Sequence, residues 1–244
     1  MAVLFQDVIA QTRTYLDEVS PKSWTDYEVR REVNNGYGEL ITATIQVFED
    51  YYLRRIDFSL IASQQEYGVA DGIPADLYKI KRIEYNPQTA SNPNSFYRAS
   101  PISMNKFGST LVNSALGTTS TPLYYTYGFA NNIKIGFLPI PQINSTNGVR
   151  LWHIYTVPMM VNDTDEVNIP YPERYASDIS LYAAGVLLRK GQQEEPVAAR
   201  YLAEFAQGKL DMMEELRQRN VDDSMVISDS LGQNNDFGLV DLYY

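Results

Sequence analysis

Apolar positions near the N-terminus recur at three-to-four spacing. Leu4, Val8, Ile9, Tyr15 and Leu16 form one stripe that stops before Ser20-Pro21, where proline ends or redirects a helix. A second helix is marked by Thr25 with Glu28 three residues on, a capping-box pattern. Val29, Val33, Tyr37, Leu40, Ile41, Thr44, Ile45 and Phe48 follow on one stripe. Two helices joined by a short loop predict an antiparallel hairpin over residues 1–56.

From about Asp57 the period changes to two. Phe58, Leu60 and Ala62 alternate with Ser59, Ile61 and Ser63, and Asp71-Gly72-Ile73-Pro74 signals a turn. Alternation returns over residues 77–85 and closes at Asn86-Pro87. Residues 86–101 and 108–122, rich in Asn, Ser, Thr, Pro and Gly, read as exposed excursions, with one helical turn possible over 102–107. Strands are expected again at 123–127, 133–137 and 148–155, with the stiff Leu138-Pro139-Ile140-Pro141 between the last two. Short strands between turn residues predict an antiparallel sandwich or small barrel over 57–169.

Helical spacing resumes after Pro172, which suits a first helical position. Tyr175, Ile179, Tyr182, Ala183, Val186 and Leu187 make the stripe, and Arg189, Lys190 and Gly191 mark its end. A further helix from about Pro196 carries Ala199, Leu202, Phe205, Met212, Met213 and Leu216. The predicted fold class is therefore α+β. The terminal helices (1–56 and 170–219) form one platform, the β region is inserted into it, and residues 220–244 extend as a C-terminal arm. That last stretch holds Asp222, Asp223, Asp229, Asp236 and Asp241 with no Lys or Arg, a composition expected to be disordered alone. It nevertheless ends in Phe237, Leu239, Val240, Leu242, Tyr243 and Tyr244, so the expectation is an arm that orders on a protein partner.

Composition narrows the chemistry. The chain has 244 residues, 20 Lys+Arg against 30 Asp+Glu, a formal net charge of −10, one His and no Cys. An acidic surface disfavours tight DNA binding, which needs clustered cations. Without Cys there are no disulfides, thiolate nucleophiles or Cys-held metals, and one His excludes a His-pair site within one chain. Apolar runs such as 183–188 are far short of a bilayer span, so no membrane partner is expected. The start, Met1-Ala2-Val3-Leu4-Phe5, lacks the basic region and cleavage site of a signal peptide, which suggests a protein made in the cytoplasm. Tyr is the dominant aromatic, 19 against 9 Phe and 2 Trp, and suits half-wet protein contacts as well as strands.

No catalytic constellation emerges. His153 lies in the Trp152-His153-Ile154-Tyr155 strand without triad spacing and reads as a sheet histidine. Asp163, Asp165 and Asn168 hint at a calcium loop, but the sixth and twelfth positions are Asn168 and Arg174 where Gly and Glu are required. The pairs Glu194-Glu195, Glu214-Glu215 and Asp222-Asp223 diverge on a helix. No phosphate loop follows Gly185 or Gly191. No enzyme activity, cofactor or metal is expected.

The order of these signals over roughly residues 4–215 resembles the head-to-tail adaptors (head-completion, or connector, proteins) of short-tailed phages and their relatives. Its carriers are the N-terminal helical pair and the approach Gln65-Glu66-Tyr67 to Gly72-Ile73-Pro74-Ala75-Asp76-Leu77, leading into Lys79-Ile80-Lys81-Arg82-Ile83-Glu84-Tyr85. Pro122-Leu123-Tyr124-Tyr125-Thr126-Tyr127-Gly128, Ile133-Lys134-Ile135-Gly136-Phe137-Leu138-Pro139-Ile140-Pro141, Leu151-Trp152-His153-Ile154-Tyr155 and the Tyr182-Ala183-Ala184 helix follow. The resemblance implies a virion protein at the head–tail junction, assembled in the host cytoplasm. It would form a ring, commonly of twelve subunits, with one face on the portal protein and the other receiving tail or nozzle proteins. DNA would meet it only in transit through the channel, as in genome ejection. An acidic lumen would let that DNA slide.

By segment, residues 1–56 carry 6 basic and 9 acidic groups, 57–172 carry 7 and 8, and 173–244 carry 7 and 13. Acid is thus concentrated towards the C-terminus, on a channel-lining helix or on an arm seeking a basic partner. Competing classes are another structural virion protein, a carbohydrate-binding tail module using Tyr and Trp rings, and a hydrolase using acidic pairs. The rings of Tyr124, Tyr127 and Tyr155 fall at positions expected in a core or interface rather than an open sugar groove.

Overall fold

The computed structural model describes residues 2–18, 23–86, 96–103, 122–128, 130–191 and 195–240, with side chains of the last helix described to Arg219. The chain divides into two compact units: Met1–Tyr51 with Val157–Tyr244, and Tyr52–Thr156.

The first unit holds α1 (Phe5–Tyr15), α2 (Asp26–Phe48), α3 (Pro172–Lys190) and α4 (Glu195–Val240). The capping box of α2 forms as its spacing requires: Glu28 N–H donates to the Thr25 hydroxyl at 3.3 Å and Thr25 N–H donates to the Glu28 carboxylate at 3.2 Å. Val29, Val33, Tyr37, Leu40, Ile41 and Thr44 are buried along one face. Pro172 opens α3, whose buried side includes Tyr175, Ile179, Ala183 and Leu187. The terminal helices pack together, α1 and α2 on α3, and α2 and α3 on α4. At the α3–α4 crossing a Cβ at Gly185 would come within 2.9 Å of Leu202 Cγ and 3.2 Å of the Ala198 carbonyl oxygen, so the close approach of the two helices requires glycine there.

An ionic clasp joins the end of α1 to the start of α2, with Arg13 and Glu18 buried and Asp26 exposed. Arg13 Nη2 lies 2.5 Å from Asp26 Oδ1 and Nη1 lies 3.5 Å from Glu18 Oε2, while Ser23 N–H donates to Glu18 Oε1 at 2.7 Å. Residues 157–169 belong to this unit, although alternation groups them with the strands. Phe5 N–H donates to Asp165 O at 2.8 Å, Val167 N–H donates to Val3 O at 2.9 Å, and the Asn34 amide exchanges two 2.9 Å bonds with the Met160 main chain. The backbone of α4 runs helically to Val240, through most of the stretch expected to extend as an arm. Once a helix is nucleated, each added residue costs little, so a polar sequence can continue it. Phe237, Leu239 and Val240 lie on this helix with side chains outside the described residues, and Leu242, Tyr243 and Tyr244 lie wholly outside them.

The second unit is one curled sheet, a half-barrel. Its strands are β1 (Leu53–Leu60), β2 (Glu66–Tyr67), β3 (Leu77–Tyr85), β4 (Tyr97–Pro101), β5 (Leu123–Tyr127), β6 (Lys134–Leu138) and β7 (Ser145–Tyr155), in the order β1-β7-β3-β4-β5-β6-β2. Neighbours are antiparallel except β4 and β5, which pair in parallel through Ser100–Leu123 and Pro101–Tyr124. The curl is visible in the core: Phe58 of β1 and Tyr67 of β2, from opposite edges of the sheet, have ring centroids 5.7 Å apart. Phe137 stacks on Tyr85 at 5.5 Å, and Ile83, Ile135, Val149 and Leu151 complete the interior.

β1 starts at Leu53, earlier than the alternation from Asp57 suggests. Arg54 stands on the row that turns inward further along, and it is accommodated at the strand end by lying 3.6 Å above the Tyr155 ring centroid. Its charge conceals the period. The helical turn expected at 102–107 is absent over Ile102 and Ser103, where Ile102 N–H instead donates to Tyr124 O at 2.8 Å; the rest of that stretch lies outside the described residues.

Candidate interaction surfaces

The polar positions that invited a chemical reading are used structurally. His153 is buried in β7 with Nδ1 unpartnered among the described residues, and burial lowers its pKa from the ordinary value. Asp163 pairs with Arg30. Asp165 accepts from the main-chain N–H groups of Val161 (2.7 Å) and Asn162 (2.9 Å) and from the Asn162 amide, and these bonds hold its carboxyl below the ordinary carboxylate range. Asn168 N–H donates to the Tyr37 hydroxyl at 3.2 Å. Glu214 and Glu215 diverge as adjacent helix positions must: Glu215 takes Tyr175 and Arg174 at 2.7 and 2.9 Å, while Glu214 faces Arg217 at 3.8 Å. Among the described residues no group of three or more His, Asp or Glu side chains is placed to hold a metal.

A groove of about 380 Å³ runs beside α1, lined by Gln6, Ile9, Ala10 and Thr14 and by Arg13, Glu18, Arg30 and Asp163. Its two arginines and two acids face one another in pairs, so it presents no net charge to a ligand.

The outer face of the half-barrel is chemically more distinctive. Ladder register places Arg55, Trp152 and Arg82 side by side across β1, β7 and β3, and in the next row Asp57, Arg150, Glu84 and Arg98 across β1, β7, β3 and β4. Arg55 bonds Asp57 at 2.6 and 2.8 Å, Arg82 bonds Glu84 at 2.5 Å, and Arg150 lies 3.5 Å from Glu84 and 3.6 Å above the Phe96 ring centroid. Three of these arginines share the two carboxylates, Arg55 and Arg150 lie over the Trp152 and Phe96 rings, and Arg98 stands in register beside Glu84. The side chains of Arg55 and Arg82 are 41% and 52% exposed, so the face is open to a partner. Sequence reading missed this surface. Arg55, Arg82 and Arg150 are far apart along the chain, and only strand register brings them together.

The Tyr-rich strands divide their rings between core and network. Tyr155 packs edge-on against Tyr52 with centroids 5.8 Å apart, and Tyr124 lies half-buried against the β core. Tyr125 and Tyr127 stack at 6.4 Å and both donate to Glu66, at 2.9 and 2.6 Å. Tyr125 reaches Glu66 by crossing Gly136, where a Cβ would stand 2.1 Å from its Cζ. Tyr125 is buried and Tyr127 is 40% exposed, with both hydroxyls held by Glu66. At one end of the unit, loop hydrogen bonds from Ser63 to Pro141 and from Ala62 to Asn144, both 2.8 Å, hold a tip that exposes Ile61, Ile140 and Ile143 among uncharged residues.

Terminal helices thus flank a β unit that carries an arginine-rich face and an exposed apolar tip. The family model for the SU10 adaptor protein matches residues 4–228, nearly the whole chain. The chain belongs to the SU10 adaptor protein family. No curated protein matches it. The chain is thus a bacteriophage adaptor, a virion component of a family whose members interact in general with portal and tail proteins. No described helix of the adaptor is long and apolar enough to cross a membrane.

Charge in the adaptor is partitioned by unit. Tyr52–Thr156 holds 9 Lys+Arg and 5 Asp+Glu, net +4, which leaves 11 and 25, net −14, for the helical unit.

Proposed function

We propose that this adaptor assembles as a ring of about twelve subunits beneath the portal, the copy number following the family resemblance, extends the DNA channel and provides the tail attachment site. The observation that carries the reading is the family match over residues 4–228, on a chain whose two units differ in net charge by 18, from +4 to −14. Such polarity favours head-to-tail contact between copies, the geometry that closes into rings. Acidic groups of the helical unit or of the C-terminal stretch would keep a channel from gripping phosphate. The role is structural, without enzymatic activity. Assembly occurs in the host cytoplasm and the product stays at the head–tail junction. Phe237, Leu239, Val240, Leu242, Tyr243 and Tyr244 act as an apolar anchor for a protein partner, the portal or a neighbouring copy.

Native mass spectrometry and negative-stain imaging of the purified chain mixed with its portal test this reading. A ring on the portal is the expected result. A chain that stays monomeric and unbound in the presence of the portal overturns it.

A further inference from the structure

The arginine-rich outer face of the β unit has more cation than it needs for its own ion pairs. Arg55, Arg82, Arg98 and Arg150 surround two carboxylates, leaving an excess of two positive charges around Trp152 and Phe96. The Trp152 indole N–H has no acceptor among the described residues. Guanidinium planes stacked on or beside rings present flat forks to carboxylates and flat faces to aromatic side chains.

One segment of this chain has the complementary chemistry. Residues 221–244 carry Asp222, Asp223, Asp229, Asp236 and Asp241, no Lys or Arg, and the aromatics Phe237, Tyr243 and Tyr244. Among the described side chains of α4, Leu216 is buried and Arg219 lies over Phe48, and helical backbone from there to Val240 spans roughly 30 Å at 1.5 Å per residue.

We propose that the Arg55–Trp152–Arg82 face of one subunit is the docking site for the acidic, aromatic-ended segment 221–244 of a second copy. The proposal rests on the ring reading above, because a ring sets a neighbour beside each subunit. A nucleic acid is the poorer match, since Asp57 and Glu84 oppose the dense charge of a phosphate backbone more than five aspartates spread over residues 221–244, which also bring aromatic rings to the guanidinium faces.

The test uses the full-length chain and a fluorescein-labelled synthetic peptide of residues 221–244, followed by anisotropy. Saturable binding is expected, weakening several-fold between about 50 and about 300 mM NaCl. The double variant Arg55→Glu/Arg82→Glu should bind about tenfold or more weakly, and a peptide with Asp236→Lys and Asp241→Lys should bind that variant better than it binds the natural chain, a charge swap that misfolding would not reproduce. In a mixture of isotopically heavy and light full-length chains on the portal, a photo-crosslinker at position 237 should link to β1, β3 or β7 of the other isotope. The proposal is overturned if the double variant binds the natural peptide equally well, if all cross-links stay within one copy or go to the portal, or if a single-stranded oligonucleotide takes the same face more tightly than the peptide. Ring formation is scored separately. A ring that forms while the peptide fails to bind removes this site and leaves the ring; a peptide that binds while no ring forms does the reverse.

Discussion

His153 and Gly136 show how much of one residue's role depends on its cross-strand neighbours. His153 is read from sequence as a sheet histidine, and so it is, but its depth and its Nδ1, unpartnered among the described residues, are visible only in the folded sheet. Burial holds its folded pKa below the ordinary 6.5, with the carboxylate of Asp76 pulling the other way. As pH falls below 6.5 the unfolded chain takes up a proton that the folded chain resists, so the β unit loses stability as pH drops towards the folded value. His153→Gln should therefore lose less stability than the natural chain between about pH 7.5 and about pH 5, measured as urea midpoints by tryptophan emission. An equal loss in both would show that the histidine does not carry this dependence. Gly136 reads in sequence only as part of an apolar strand; its need for a missing side chain appears when Tyr125 crosses it to reach Glu66. Gly136→Ala must displace that ring and is expected to cost about 1–3 kcal/mol, while Tyr125→Phe, which loses only the hydroxyl bond, should cost about 1 kcal/mol. Denaturant melts of the two variants give the comparison.

At the scale of elements, strong local signals carried over. The α2 capping box, the proline opening α3 and the apolar stripes of α2 and α3 were legible because each depends on residues within a few positions of one another, whereas the stripe of α1 omitted the buried Phe5 and that of α4 named Ala199, which is exposed, in place of the buried Ala198. Boundaries depended on distant partners. Residues 157–169 have no helical period, yet α1 and α2 supply their hydrogen bonds, and Arg54, exposed at the strand end on the row that turns inward further along, lies over a ring about a hundred positions away in sequence. Helix contacts also create chemistry that spacing does not show. Asp178 of α3 fills the space above Gly208 of α4, its carboxylate oxygen 2.1 Å from where a Cβ would stand. Burial, reinforced by the charge of Asp211, pushes it up to about 6. The folded chain thus retains a proton that the unfolded chain releases between about pH 4 and 6, so stability falls as pH rises through that window and stays lower above it. Asp178→Asn should relieve this at about pH 8. Allowing for solvent screening at a half-buried site, the gain is on the order of 1 kcal/mol, or roughly 2–4 °C in melting temperature. A variant that melts no higher than the natural chain at pH 8, yet equals it at pH 4, would contradict the assignment.

For the whole molecule, the net charge of −10 is the sum of two opposed units rather than a uniform property. A helical unit at −14 repels itself, and salt screens that repulsion. Raising NaCl from about 20 to about 300 mM should therefore raise the melting temperature of the helical signal in far-ultraviolet circular dichroism, while weakening any contact that joins unlike units of two copies. A helical melting point insensitive to salt would mean that its acids are already compensated locally.

The sequence by itself determined the element types, the placing of a β unit between terminal helices and the family to which the chain belongs, because caps, prolines and hydrophobic periods act over one or two turns of chain. Segment charges counted along the chain left residues 57–172 slightly acidic, at −1. Tertiary structure moved Arg54 and Arg55 into the β unit and Asp163, Asp165 and Glu166 out of it, turning that unit to +4. It also brought Arg55, Arg82 and Arg150 onto one face with Trp152. Both results depend on strand register and on the hydrogen bonds of a segment without regular structure. These are long-range pairings, and no local pattern of side chains encodes them.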